Sequence, residues 1–364
     1  MTAEHLKPLT SLRFLAALWV VLFHYWPKLA VDFTPGLVAK GYLGVELFFV
    51  LSGFILCHVY LEAAGEGRFK YGGFLWARLA RVYPLHLATL LGVGALAGAA
   101  TLAGFGVDAN VLSWDSLPAN LLMVHAWGFA PQAGWNHPSW SISAEWFAYL
   151  CFPAFAWAAW RLRTRPQLAM AAAWALIALL YAGFERLAGF PLTQATIAWG
   201  ALRIVPCFAY GCAVYLAWRA GATSRPATAT LVSAAALIGV VTCAALQMAD
   251  ALIVAWFGML ILGLAGLKGA AGRVLSAKPF VYLGEVSYSV YMVCVPWKLL
   301  AVNGAARLLG VTDEHLPLPV WLAVVAAIPL IAMISYHLVE KPARAAMRAF
   351  ADRRRGEAEV PALA

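Results

Sequence analysis

Residues 9–26 read LTSLRFLAALWVVLFHYW, an apolar run with one arginine near its start and one histidine near its end. At about 20 residues per crossing, such a run is long enough to span a bilayer as a helix. Arg13 and His24 stand eleven positions apart, close to three turns at about 3.6 residues per turn. Both therefore lie on one face, roughly 16 Å apart along the axis. Taken alone, Arg13 reads as a snorkelling anchor and His24 as a core histidine; their shared face points instead to one groove. Lys7 and Arg13 before the apolar run mimic a signal peptide. His24 interrupts that run and Trp26-Pro27-Lys28 closes it with no small-residue cleavage site, so an uncleaved first span is expected.

The rest of the chain has the same character. Of its 364 residues 63% are apolar and 12% charged, with a mean hydropathy of +0.77, against about 45–50% and 25% in soluble domains. A soluble enzyme is excluded. Apolar runs predict spans at 12–29, 41–61, 84–105, 140–160, 168–184, 197–218, 228–248, 251–267, 280–302 and 318–339. The expected fold is an all-α polytopic membrane bundle of about ten helices. It occupies residues 1–345, and 346–364 form a basic, unstructured cytoplasmic tail. Only Ala249-Asp250 separates the seventh run from the eighth, as a tight hairpin or a broken pair.

The net charge of +9 is distributed by segment. Arg68, Lys70, Arg78 and Arg81, then Arg161, Arg163 and Arg165, then Arg219 and Arg225, then Lys268, Arg273 and Lys278, then the tail fall on one side; the alternate segments are poor in cations. Retention of Lys and Arg on the cytoplasmic side places both termini there and explains the basic tail without nucleic-acid binding. The six cysteines all lie in apolar stretches, at no metal or redox spacing, and read as small buried hydrophobes. No clustered set of metal ligands is expected. The absence of an internal repeat weighs against the rival class, a transporter or flippase of a lipid-linked sugar or anion.

Charged side chains inside spans cost about 2.5–3.5 kcal/mol each and mark function by default. Counting at 1.5 Å per residue puts Glu46, Glu145 and Arg203 about 8–9 Å below the outer surface, near His24. Arg13, Arg78, Arg81 and Glu285 form a second layer at the inner end, with Tyr288 one turn deeper. The inner layer suits phosphates and the outer one proton transfer. Glu46 or Glu145 is the candidate to orient His24, as a carboxylate does in a catalytic triad. Ser52, in Leu-Ser-Gly-Phe, is either a covalent acyl carrier or a packing contact. The loop 107–139 carries Trp114, Trp127 and Trp135 with Asn120, His125, Asn136 and His137. That composition suits a layer lying on the membrane or stacking on a sugar ring, so Trp127, Trp135, His137 and Arg203 are candidate acceptor contacts.

The opening run, followed by GYLGVELFFVLSGFIL (41–56), RLARVYPLHL (78–87), WSISAEWFAYLCFP (140–153), YLGEVSYSVYM (282–292) and VEKPAR (339–344), resembles acyltransferase family 3 of membrane-bound O-acyltransferases. The resemblance implies a multi-pass bacterial inner-membrane enzyme. Its donor would be cytoplasmic acyl-CoA, usually acetyl-CoA, and its acceptor a hydroxyl of an extracytoplasmic carbohydrate such as an exopolysaccharide or O-antigen unit. Arg13 and His24 match the family's essential arginine and histidine, Arg78 and Arg81 its paired arginines, and Glu145 the acid of its Trp-Ser-x-Ser-x-Glu segment. Cys294 stands where a histidine often follows the Ser-Tyr-Ser-x-Tyr segment, so a second histidine base is not expected. Transfer would be completed in the bundle or with a polysaccharide-assembly partner. With the spacing argument, this makes His24, Arg13, Glu145 and Glu46 the catalytic candidates, and Arg13, Arg78, Arg81 and Tyr288 the candidates for the coenzyme.

Overall fold

The computed structural model describes residues 5–108, 110–311 and 315–359, the last six as backbone alone. Its helices are α1 (Lys7–Tyr25), a short α2 (Gly36–Ala39), α3 (Gly44–Gly65), α4 (Tyr71–Leu102), a short α5 (Leu117–Leu121), α6 (Trp140–Leu150) and α7 (Phe152–Arg161). They continue with α8 (Pro166–Ala188), α9 (Gly200–Arg219), α10 (Pro226–Ala245), α11 (Asp250–Ala265), α12 (Gly269–Leu275), α13 (Lys278–Leu308), α14 (Leu318–Ser335) and α15 (Lys341–Glu359). Among the described residues there is no named strand, only an isolated bridge between Leu29 and Leu316.

All ten apolar runs are helical, but they are not ten equal spans. Among the described residues eight helices are long and apolar enough to cross a membrane, or nine if α11 and α12, bent by 102°, count as one. The run 140–160 is split at Cys151, because Pro153 lacks an N–H and its ring clashes with the carbonyl four residues back. The run 228–267 is a helical hairpin: α10 ends at Ala245, Gln247 turns at φ 54°, and α11 restarts at Asp250.

Small residues set the closest helix contacts, as expected where helices pack without water. A Cβ on Gly211 of α9 would lie 2.0 Å from the Val50 carbonyl oxygen of α3, and one on Gly284 of α13 would lie 1.9 Å from that of Thr10 in α1. Glycine is required at both. These contacts lock α3 to α9 and α1 to α13, and residues of α1, α3 and α13 line both polar cavities.

Two expectations are corrected. Residues after 345 are not an unstructured tail: α15 runs to Glu359, and the Trp76 indole of α4 donates to the Met347 carbonyl at 2.8 Å while stacking near Phe350. Residues 360–364 lie outside the described residues. The loop before α6 is not a surface layer either, since His125, Asn136 and Trp135 are buried. Asn136 donates to the Met292 carbonyl at 2.9 Å, and the Tyr291 hydroxyl to that of Pro138 at 2.8 Å. Met292 lies 14 residues along α13, about 21 Å from its start. The loop therefore dips into the bundle and α6 begins at mid-depth.

Candidate active site

The half-helix α6 rearranges the two expected layers. Counting inward from Trp140 as if it lay at the outer surface placed Glu145 beside His24; because α6 starts deep, Glu145 belongs to the inner group. It lines a cavity of about 150 Å³ with Arg13, Arg78, Arg81, Ser52, Tyr149 and Tyr288. Ser52 Oγ donates to Glu145 Oε1 at 2.5 Å, linking α3 to α6. Arg13 lies in the field of Arg81, Glu145 and Glu340. Arg78 stacks at 5.9 Å over Tyr60, and its buried Nε finds no acceptor among the described residues. An unpartnered buried guanidinium N–H is costly, and a phosphate or carbonyl oxygen would satisfy it. Tyr288 lines this cavity too, but its hydroxyl proton is committed to the Val82 carbonyl at 2.7 Å. Glu285, expected in this layer, is exposed.

A second cavity, about 420 Å³, is lined by His24, Tyr42, His137, Thr193, Gln194, Arg203 and their neighbours. His24 Nδ1 lies 2.8 Å from the Val20 carbonyl oxygen, one turn back on α1. A carbonyl only accepts, so Nδ1 carries the proton and Nε2 keeps a free lone pair. Neither Glu46 nor Glu145 orients this ring; the α1 backbone does. Glu46 is instead held by Arg203, whose Nε and Nη2 both reach its carboxylate, the latter at 2.9 Å. Arg203 Nη1 donates to the Ala195 carbonyl at 2.8 Å, and the guanidinium sits 4.6 Å from the Trp140 ring centre. This planar two-point pairing cancels both charges in place.

Two hydroxyls in the outer lining are also fixed in direction. Tyr42 donates to Asp250 at 2.9 Å and Thr193 donates to the same carboxylate, which also pairs with Lys40 at 2.6 Å. With their protons directed at Asp250, only their oxygen lone pairs remain for a ligand. Among the expected acceptor contacts, His137 and Arg203 line this cavity, whereas Trp127 and Trp135 line neither. The Trp127 indole donates to the Ser143 carbonyl at 2.8 Å and Trp135 to that of Ser113 at 2.9 Å; both rings serve the re-entrant loop as packing. His125 and His86 stack in parallel at 5.9 Å behind them, and His125 Nε2 lies 3.1 Å from Ser139 Oγ.

The two cavities share Val45 and Tyr291 in their linings, so the cation-lined space and the His24 space adjoin. Sequence reasoning missed Asp250, read only as a hairpin residue. It also gave no role to Glu340, buried where Ser289 Oγ donates to it at 2.8 Å and Arg344 approaches at 3.5 Å. The four-residue spacing of Glu340 and Arg344 in VEKPAR was the available signal. Asp250 carried none, because its partners Lys40, Tyr42 and Thr193 are distant in sequence.

Among known proteins, no solved structure matches this chain. The chain is 36% identical to Acyltransferase MdmB of Streptomyces mycarofaciens over 159 residues, 41% of this chain and 38% of that protein. It is 44% identical to Protein 2 in picA locus of Rhizobium radiobacter over 82 residues, 22% of this chain and 40% of that protein. The matched segments thus span about two fifths of each curated relative. The profile described as an acyltransferase domain matches residues 8–338, nearly the whole chain. The profile match over nearly the whole chain, with the ordered motifs, shows that the chain belongs to acyltransferase family 3.

Proposed function

We propose that the protein moves an acyl group, acetyl in the simplest case, from acyl-CoA in the cation-lined cavity to a carbohydrate hydroxyl in the outer cavity. The observation that carries this reading is the adjoining of a three-arginine cavity with one that holds a histidine of defined tautomer. Arg13, Arg78 and Arg81 supply charge-assisted donors for the coenzyme's phosphates. A sugar hydroxyl loses its proton far above neutral pH, so its attack on the thioester needs a base in the transition state. His24 Nε2 is that base, worth about 10²–10⁴ in rate. The proton then passes to the departing thiolate.

The outer lining supports a carbohydrate. His24 Nε2, Tyr42 Oη and Thr193 Oγ1 all present lone pairs, and the Arg203 charge is cancelled by Glu46. Such lone pairs favour a ligand rich in O–H donors. Exopolysaccharide repeat units, O-antigen units and lipid-linked oligosaccharides share this chemistry. The cytoplasmic placement of both termini and an inner-membrane location accord with the charge alternation and belong to the same reading. Mass spectrometry of surface glycans, with and without the gene, tests it. Loss of a set of O-acyl groups in the deletion strain is expected, and an unchanged set would overturn it.

A further inference from the structure

Among the described residues, Val45 and Tyr291 alone are common to the linings of the two cavities. Both are held rigidly. The Tyr291 hydroxyl donates to the Pro138 carbonyl and accepts from Ser141 Oγ, each at 2.8 Å, and its ring packs edge-on to Phe48 at 6.4 Å. Val45 is buried on α3, and its β-branch leaves one strongly preferred rotamer in a helix. Neither side chain therefore moves aside by simple rotation.

We propose that Val45 and Tyr291 form the neck through which the acyl group is handed to the outer cavity, and that they set the length of the acyl chain transferred. The inference rests on the donor reading above. A thioester entering from the arginine side has its sulfur in the inner cavity, and its carbonyl carbon must reach the neck to meet a hydroxyl activated at His24. The acceptor oxygen then bonds to that carbon, the carbon–sulfur bond breaks, and the hydroxyl proton passes by way of His24 to the thiolate, releasing the coenzyme thiol. The alkyl group extends from the carbonyl away from sulfur. It lies between Val45 and Tyr291, or beyond them beside His24, where every added methylene takes room the acceptor needs. Tyr291 does not serve as an oxyanion donor, because its proton is already given to Pro138. Its part is shape.

The test uses membrane vesicles from a strain deleted for the gene and carrying the full-length protein or a variant, so that the native acceptor is present. Acetyl-, propionyl-, butyryl- and hexanoyl-CoA, labelled in the acyl group, are the donors. One methylene in a fixed apolar pocket is worth roughly 10- to 200-fold, so incorporation should fall steeply with chain length. Val45→Ala should raise the butyryl-to-acetyl ratio roughly 10-fold or more, and Val45→Ile should lower the propionyl-to-acetyl ratio. Tyr291→Phe keeps the ring but releases it from Pro138 and Ser141, and should broaden the chain-length profile. If Val45→Ala fails to accumulate, the other two variants read the same ratios. Gene-dependent incorporation with unaltered ratios in the variants would overturn the neck and leave the donor reading standing. No gene-dependent incorporation from any of the donors would overturn both.

Discussion

The two cavities differ in how their charges are used. In the inner one, Arg13, Arg78 and Arg81 crowd together and Arg78 keeps a buried N–H with no acceptor among the described residues. In the outer one, Arg203 is matched to Glu46 and Lys40 to Asp250, and the hydroxyl protons of Tyr42 and Thr193 are spoken for. The same residue types therefore do opposite things. On the proposed reading, the crowded guanidiniums of the inner cavity suit a multiply charged anion, whereas the pairing of Arg203 with Glu46 leaves the imidazoles of His24 and His137 to face the outer one.

The hardest test of this contrast falls on His24. Replacing it with Ala or Gln should lower transfer about 10²-fold or more while leaving the amount of membrane-inserted protein unchanged, as read by activity per unit of immunodetected protein. Insertion of one Ala between Arg13 and His24 should be equally damaging, because it rotates one relative to the other by about 100°. Full activity in that insertion variant would show that the two do not serve one continuous groove.

Glu46 distinguishes a wall from a catalytic group. Breaking a buried pair from one side costs about 3–5 kcal/mol, so Glu46→Gln should lower the melting temperature of the detergent-solubilised protein by many degrees. The double change Glu46→Leu with Arg203→Met should recover much of that loss. If Glu46→Gln instead reduced turnover with an unaltered melting curve, the carboxylate would belong to the chemistry and the contrast between the cavities would fail.

The inner cavity is read most directly through donor affinity. Removing one charge-assisted hydrogen bond costs about 1.5–3 kcal/mol, so Arg78→Ala or Arg81→Ala should raise the KM for acyl-CoA roughly 10- to 100-fold. The apparent affinity for the acceptor should hardly move. A parallel rise in both constants would mean that these arginines shape the bundle rather than hold the coenzyme.

Most of the fold was legible because hydropathy is a local signal: the ten apolar runs are helical, with only the run 140–160 split in two, and Pro, Gly and charge marked their ends. The placing of the candidate residues was legible in part. Arg13 and His24 share a face by helical period alone, and Arg78 and Arg81 by their spacing of three. Glu145 was misplaced in depth because a re-entrant loop has the composition of an aromatic surface loop, so nothing in Trp127 or Trp135 tells packing from exposure. Partner choice was illegible for a different reason. That Glu46 pairs with Arg203 rather than His24 depends on how α3 meets α9, which Gly53 and Gly211 permit by close approach, and no periodicity within one segment encodes it.

The re-entrant loop gives the smallest and most gradual effect, because it lines the outer cavity through Pro138 and leads directly into α6, whose Ser141 lines the inner one. Burial, and then the nearby His86, push the His125 imidazole down from its usual 6.5 to about 3, and burial lowers His137 in the same direction, with Lys298 adding to it. Both rings are therefore neutral in the folded protein at pH 7. In the unfolded chain they take up protons below about pH 6.5, so the unfolded state binds more protons than the folded one in that range. Stability is full above pH 6.5 and falls as the pH drops below it, for His125 down toward its folded value of about 3, by at most about 1.4 kcal/mol per pH unit for each histidine. The melting temperature should be flat between pH 8 and 7 and decline below 6. His125→Asn keeps a hydrogen-bonding side chain beside Ser139 but cannot titrate, and should make the decline shallower without abolishing it, since His137 remains. An identical slope in that variant would assign the acid sensitivity to groups outside the loop, and the loop would then cease to be the element through which pH reaches the two cavities together.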